Sequence, residues 1–144
     1  MTSVAEEKDQ IRELLASYCY CYDDAQFDKW RALWTEDAVF DVDGNLLQGP
    51  GWREKFTGAA VLVNGKPQMK HYVMNEIISV VGDSATAKCY LLVVRKLADG
   101  SLITGTAGTY EDKLVRKNGR WLFAFRKCRR DLRHEQILAQ EKKA

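Results

Sequence analysis

From residue 69 onward the chain consists of four long β-forming runs: "MKHYVMNEIISVV", "SATAKCYLLVVRKL", "LITGTAGTYEDKLVRK" and "RWLFAFRKCRRDL". Short turn segments separate them: Gly82-Asp83, "ADGS" and Asn118-Gly119, the last being the strongest short hairpin signal. Runs of this length joined by tight turns can only pair with their sequence neighbours, so they predict an antiparallel meander. Gly105 and Gly108 lie inside the third run, where strand glycines mark bulges or bends. The expected sheet is therefore strongly curved, and one of its faces needs a cover.

The first half of the chain supplies that cover. Between Ala5 and Tyr22, apolar residues fall at Ile11, Leu14, Leu15, Tyr18 and Tyr22, the spacing of an amphipathic helix. Asp24 to Trp34 reads as a second helix with Phe27, Trp30, Leu33 and Trp34 on one side. "TEDAVFDV" changes period, "DVDGN" supplies a turn, and a third helix starts at Pro50 or Gly51. The final "RHEQILAQEKKA" is a polar tail or a terminal helix. Helices followed by an antiparallel sheet make an α+β pattern. A length of 144 residues fits one domain with a core and a cavity, here residues 1–132 with a tail over 133–144.

The net charge of +2 gives no warrant for nucleic acid or membrane binding, despite the basic run "RKCRRDLR". No apolar run approaches the roughly 18 residues of a membrane span, and the polar, acidic start is unlike a signal peptide. Cys19, Cys21, Cys89 and Cys128 have no metal-ligand spacing and read as buried thiols of a cytoplasmic protein. There is no nucleophile elbow, no HExxH and no dinucleotide-binding glycine pattern, so neither a metal nor another cofactor is expected.

What remains is acid-base chemistry. Asp23 and Asp24 end the first helix, where acids are mildly unfavourable. On a helical wheel Asp23 lies at the margin of the apolar face beside Tyr18 and Tyr22, while Asp24 points away and suits the N-cap of the next helix. Of two histidines, His134 sits in the tail. Strand alternation sets His71 on the inward face with Val73, Asn75 and Ile77. Each residue has an ordinary reading, as a helix-end acid and as a hydrogen-bonded core histidine. Facing each other, they would form an orienting acid and a general base.

The stretches "YCYCYDDAQFDKWRALWTEDAVFDVDG", "KHYVMNEIISVVGDSATAKCYLLVV" and "GTYEDKLVRKNGRWLFAFRKCRRD" resemble the SnoaL-like branch of the nuclear-transport-factor-2-like superfamily over residues 8 to 132. That resemblance implies a cystatin-like fold, a cone-shaped sheet wrapped around N-terminal helices. Scytalone dehydratase, hexachlorocyclohexane dehydrochlorinase and bile acid 7α-dehydratase carry an aspartate-histidine dyad there, which falls on Asp23 and His71. By the same resemblance Tyr18 and Arg130 join the catalytic set, with Arg126 on the same strand face. Tyr22, Trp34, Phe40, Met74 and Asn75 are expected to line the pocket. No second pocket histidine stands near Cys89-Tyr90, so a two-histidine mechanism lacks its partner. The implied activity is a cofactor-free lyase, a dehydratase or related elimination, on a small hydrophobic molecule. An isomerase or cyclase on the same dyad, or a non-catalytic binding or assembly domain, are the alternatives. A homo-oligomer, trimer or dimer, is expected to cover the outer sheet face at Tyr72, Leu92, Val94 and Phe125.

Overall fold

The computed structural model describes residues 1–143. Ser3 starts the first helix, α1 (Val4–Asp23). Its hydroxyl accepts the Glu6 N–H while the Glu6 carboxylate accepts the Ser3 N–H, a reciprocal cap. Ile11, Leu14, Leu15 and Tyr18 are buried at the expected spacing, and so is Glu7. The second helix, α2 (Phe27–Arg31), is shorter than the sequence suggested. Ala25 takes a positive φ of 57° ahead of it, and Trp34 is drawn into the sheet opposite Phe123. Asp24 does not cap α2. It closes α1 and lies 3.5 Å from Lys66, while Gln26 occupies the cap position without a side-chain bond.

The chain continues through β1 (Trp34–Val42), β2 (Asn45–Leu47), α3 (Trp52–Gly58) and a small ribbon of β3 (Leu62–Val63) and β4 (Lys66–Pro67). The four long strands follow as β5 (Met69–Val81), β6 (Ser84–Lys96), β7 (Leu102–Lys117) and β8 (Arg120–Arg133), and α4 (Glu135–Lys143) comes last. The sheet order is β2-β1-β8-β7-β6-β5. The meander is antiparallel throughout, and β1 joins β8 in parallel. This is the α+β, cystatin-like architecture expected. The tail forms a helix whose Ile137 is buried.

Bulges shape the sheet. Gly108 sits where the β7–β8 register shifts, and a Cβ there would stand 2.2 Å from the Arg129 carbonyl oxygen. Only glycine permits that approach. In β5 the register shifts between Met74 and Ile77, with Asn75 at a φ of +59°. The bulge reverses the alternation: Ile77 is 73% exposed and Ile78 is buried. Inside, α1, α2 and α3 close over the sheet through an aromatic cluster. Trp30 stacks on Phe56, and Trp34 meets Trp52 and Phe123 at centroid distances of 5.0 and 5.1 Å.

Candidate active site

The C-terminal end of α1 meets β5 at Asp23 and His71, which are 48 residues apart in sequence. Asp23 Oδ1 lies 2.6 Å from His71 Nδ1, and Asp23 Oδ2 accepts the His71 backbone N–H at 2.7 Å. Both side chains are nearly buried, at 8% and 12% exposure. A carboxylate can only accept, so the contact puts a proton on Nδ1, and the neutral ring would then carry its lone pair on Nε2. Among the described residues Nε2 has no hydrogen-bond partner.

His71 borders two spaces. One, of about 350 Å³, is a groove between α1 and the sheet-edge strand β5, lined by Asp23, Lys70 and Tyr72 among others. The other, of about 260 Å³, lies between the helices and the sheet, lined by Tyr18, Tyr22, Phe40, Met69 and Tyr110. Asp23 borders the groove and not the inner cavity. His71 thus stands between the two spaces, with Asp23 on its groove side. Tyr18 and Tyr22 hold the ring from the side, with centroids 6.4 and 5.6 Å away and planes nearly perpendicular. Burial pushes both phenols above the usual tyrosine range, with Arg95 opposing it at Tyr22, so both are neutral hydrogen-bond donors at physiological pH. Cys128 also lines the cavity, and burial raises its thiol to about 11, which keeps it protonated and a poor nucleophile.

Several expected site residues lie elsewhere. Trp34 is packed in the aromatic cluster and does not reach the cavity. Met74 is exposed and borders a groove with Tyr90 and Leu132, because it precedes the β5 bulge on the outward side. Asn75 is exposed on that bulge rather than inward. Arg126 is fully buried behind the cavity wall. Its Nε and Nη2 donate to Asp112 at 2.7 and 2.9 Å, and its guanidinium lies 3.6 Å from the Tyr110 ring centre. Burial opposes its charge, yet the Asp112 carboxylate outweighs that and holds the guanidinium protonated, above its ordinary range. Arg130 does line the cavity, tied to Asp43 through Nε at 2.7 Å. Sequence reasoning overlooked Arg95, which also lines it. Simple alternation from Leu91 and Val93 would have found it. Among the described residues, no cluster of three His, Cys, Asp or Glu side chains is placed to hold a metal ion.

A profile of the SnoaL-like domain matches residues 3–127. The chain belongs to the SnoaL-like family. Among solved structures, this SnoaL-like domain is similar to a variant of Rv3472, a protein of unknown function from Mycobacterium tuberculosis. The identity is 28% and the TM-score 0.77, over 91% of this chain and 80% of the other. The beta subunit of a putative aromatic-ring-hydroxylating dioxygenase from Novosphingobium aromaticivorans shares the fold at 21% identity and a TM-score of 0.77, covering 92% and 94%. A putative scytalone dehydratase from that organism shares it at 20% and 0.73, covering 89% and 86%. None of the curated proteins matches the SnoaL-like domain in sequence.

Proposed function

We propose that this SnoaL-like domain is a cofactor-independent lyase of the scytalone dehydratase branch, acting on a small, largely hydrophobic molecule. The observation that carries this reading is the Asp23–His71 pair, 2.6 Å apart, with His71 lining an aromatic-walled cavity. His71 Nε2 takes a proton from a carbon beside an activating group. Asp23 holds the tautomer and stabilises the imidazolium that forms. A hydroxide or halide departs from the neighbouring carbon with its bonding electrons as the double bond forms. The proton on His71 then passes to the hydroxide, which leaves as water, or to solvent when halide leaves. A neutral Tyr18 donates a hydrogen bond on the leaving side. Arg130, at the cavity wall, supports developing negative charge.

An isomerase begins with the same abstraction and differs only in where the proton returns. The test is turnover of a panel of β-hydroxy and β-halo cyclic ketones, followed by product absorbance and mass. The wild-type protein is expected to release water or halide, and His71→Ala to lose about 10²–10⁴-fold in rate. Asp23→Asn should lose a similar factor. Undiminished turnover in both variants would remove the dyad from the mechanism, and a product of unchanged mass would favour isomerisation.

A further inference from the structure

Arg95 is placed differently from Arg126 and Arg130 of β8. Arg126 is bound to Asp112 and Arg130 to Asp43. Among the described residues, no carboxylate lies within ion-pair distance of Arg95, and it makes no side-chain hydrogen bond. It nonetheless lies inside, half-buried, at the junction of two spaces: the 260 Å³ dyad cavity and a second of about 650 Å³ under β3, β4 and α4. Tyr22, Met69 and Ile137 line both along with it. Among the described residues neither lining contains an aspartate or glutamate, while Lys96 adds further positive charge to the second.

The strand register fixes where this charge stands relative to the dyad. His71 pairs with Val93 across β5 and β6, and Met69 pairs with Arg95 in the next row on the same face. One such step is about 6.5–7 Å along the strand, so the guanidinium begins one row from the base. A bulge shapes its seat. Val93 pairs with Thr106 and Val94 with Thr104, which leaves Gly105 as the extra residue. A Cβ on Gly105 would stand 3.0 Å from Arg95 Cδ and 3.2 Å from Cγ. The stem of Arg95 thus lies flat across a glycine, and Ile137 of α4 closes over the same spot. Seated on this glycine and without an ion-pair partner among the described residues, Arg95 lines both spaces and can offer its N–H donors to an anionic group there.

We infer that Arg95 is an anion anchor, and that the molecule taken into this cavity is an amphiphilic acid: a hydrophobic ring body beside His71 and a carboxylate-like group on Arg95. This names a substrate class for the proposed lyase and rests on the cavity being its binding site. The planar guanidinium suits a carboxylate through two parallel N–H donors.

The test uses 2-naphthoate and its uncharged carboxamide, 2-naphthamide, titrated against the full chain by calorimetry and tryptophan fluorescence. Wild type is expected to prefer the acid by about tenfold or more, the size of one charge-assisted contact. Arg95→Met should bring the preference to near unity with the amide affinity retained, and Arg95→Lys should restore part of it. Circular dichroism and melting confirm that each variant is folded. Equal binding of both probes by wild type, no saturable binding of the acid, or an undiminished preference in folded Arg95→Met would overturn the proposal. Binding is read without turnover, so the outcome is independent of the dyad's chemistry. A protein that selects the acid but eliminates nothing supports the anchor and overturns only the lyase reading.

Discussion

Two inward acids of this domain, Asp23 and Asp112, differ in what they hold. Asp23 spends both oxygens on His71, orienting a ring that lines the inner cavity. Asp112 is fully buried against Arg126, which in turn lies against the rings of Tyr18, Tyr110 and Phe123. One nitrogen of Arg126, Nη1, has no partner among the described residues. Such a pair is costly to break and cheap to replace. Removing one member leaves an uncompensated buried charge, whereas substituting both by apolar groups is often neutral. Arg126→Met alone is therefore expected to lose about 3–5 kcal/mol in urea denaturation. Asp112→Leu combined with Arg126→Met should recover most of it. A single variant as stable as wild type would show that the pair contributes nothing. Alternation set Arg126 on the same strand face as Arg130, the arginine that the family resemblance implied. It had no means to tell an arginine that reaches a ligand from one consumed by a neighbouring strand, because Asp112 is 14 residues away and meets it only through the β7–β8 register.

At the scale of elements, α1 is fastened to the sheet at both ends by acids. Asp23 holds the C-terminal end to β5. Near the N-terminal end, Glu7 accepts the Trp121 indole N–H at 2.6 Å and is also bonded by Thr2 and Arg116. The Thr2 hydroxyl, the Trp121 indole and the Arg116 charge together lower the Glu7 carboxyl below its ordinary 4.5. A carboxyl lowered on folding stabilises the native state above its unfolded value and loses that contribution as pH falls through the folded one. Glu7→Gln should therefore melt at a lower temperature than wild type at pH 6 to 7. The difference should narrow steadily as the pH is taken below 4.5. A gap independent of pH would show that Glu7 acts by shape and hydrogen bonding alone. The helical period located α1 and its apolar stripe. That Glu7 belongs to the buried side was hidden, since an acid in a first helical turn ordinarily faces solvent and favours the dipole.

Across the whole molecule, the helices cover one face of the sheet and leave the other open. Tyr72, Met74, Tyr90 and Leu132 are exposed there, and β6 and β7 join them through the Tyr72–Leu92 and Leu92–Ala107 pairs. Contiguous exposed apolar surface of this kind marks an interaction site. We propose that copies of the chain associate through it, as dimer or trimer. Equilibrium sedimentation should give a multiple of 16.5 kDa, and Tyr90→Lys combined with Leu132→Lys should shift the mass toward the monomer. A wild-type mass of one chain would end that proposal.

The sequence by itself determined the four long strands, their turns, the amphipathic first helix, and Asp23 and His71 as separate candidates, whose pairing the family resemblance implied. Those features are written in local periodicity, in turn residues that need a positive φ, and in the rarity of histidine. Tertiary structure alone decided which inward side chains reach open space. The bulge at Asn75 reverses the faces of β5, the recruitment of Trp34 into β1 takes it from the pocket to the core, and Asp112 withdraws Arg126. Each depends on a neighbour brought close only by folding, and a strand's alternation carries no record of the strand beside it.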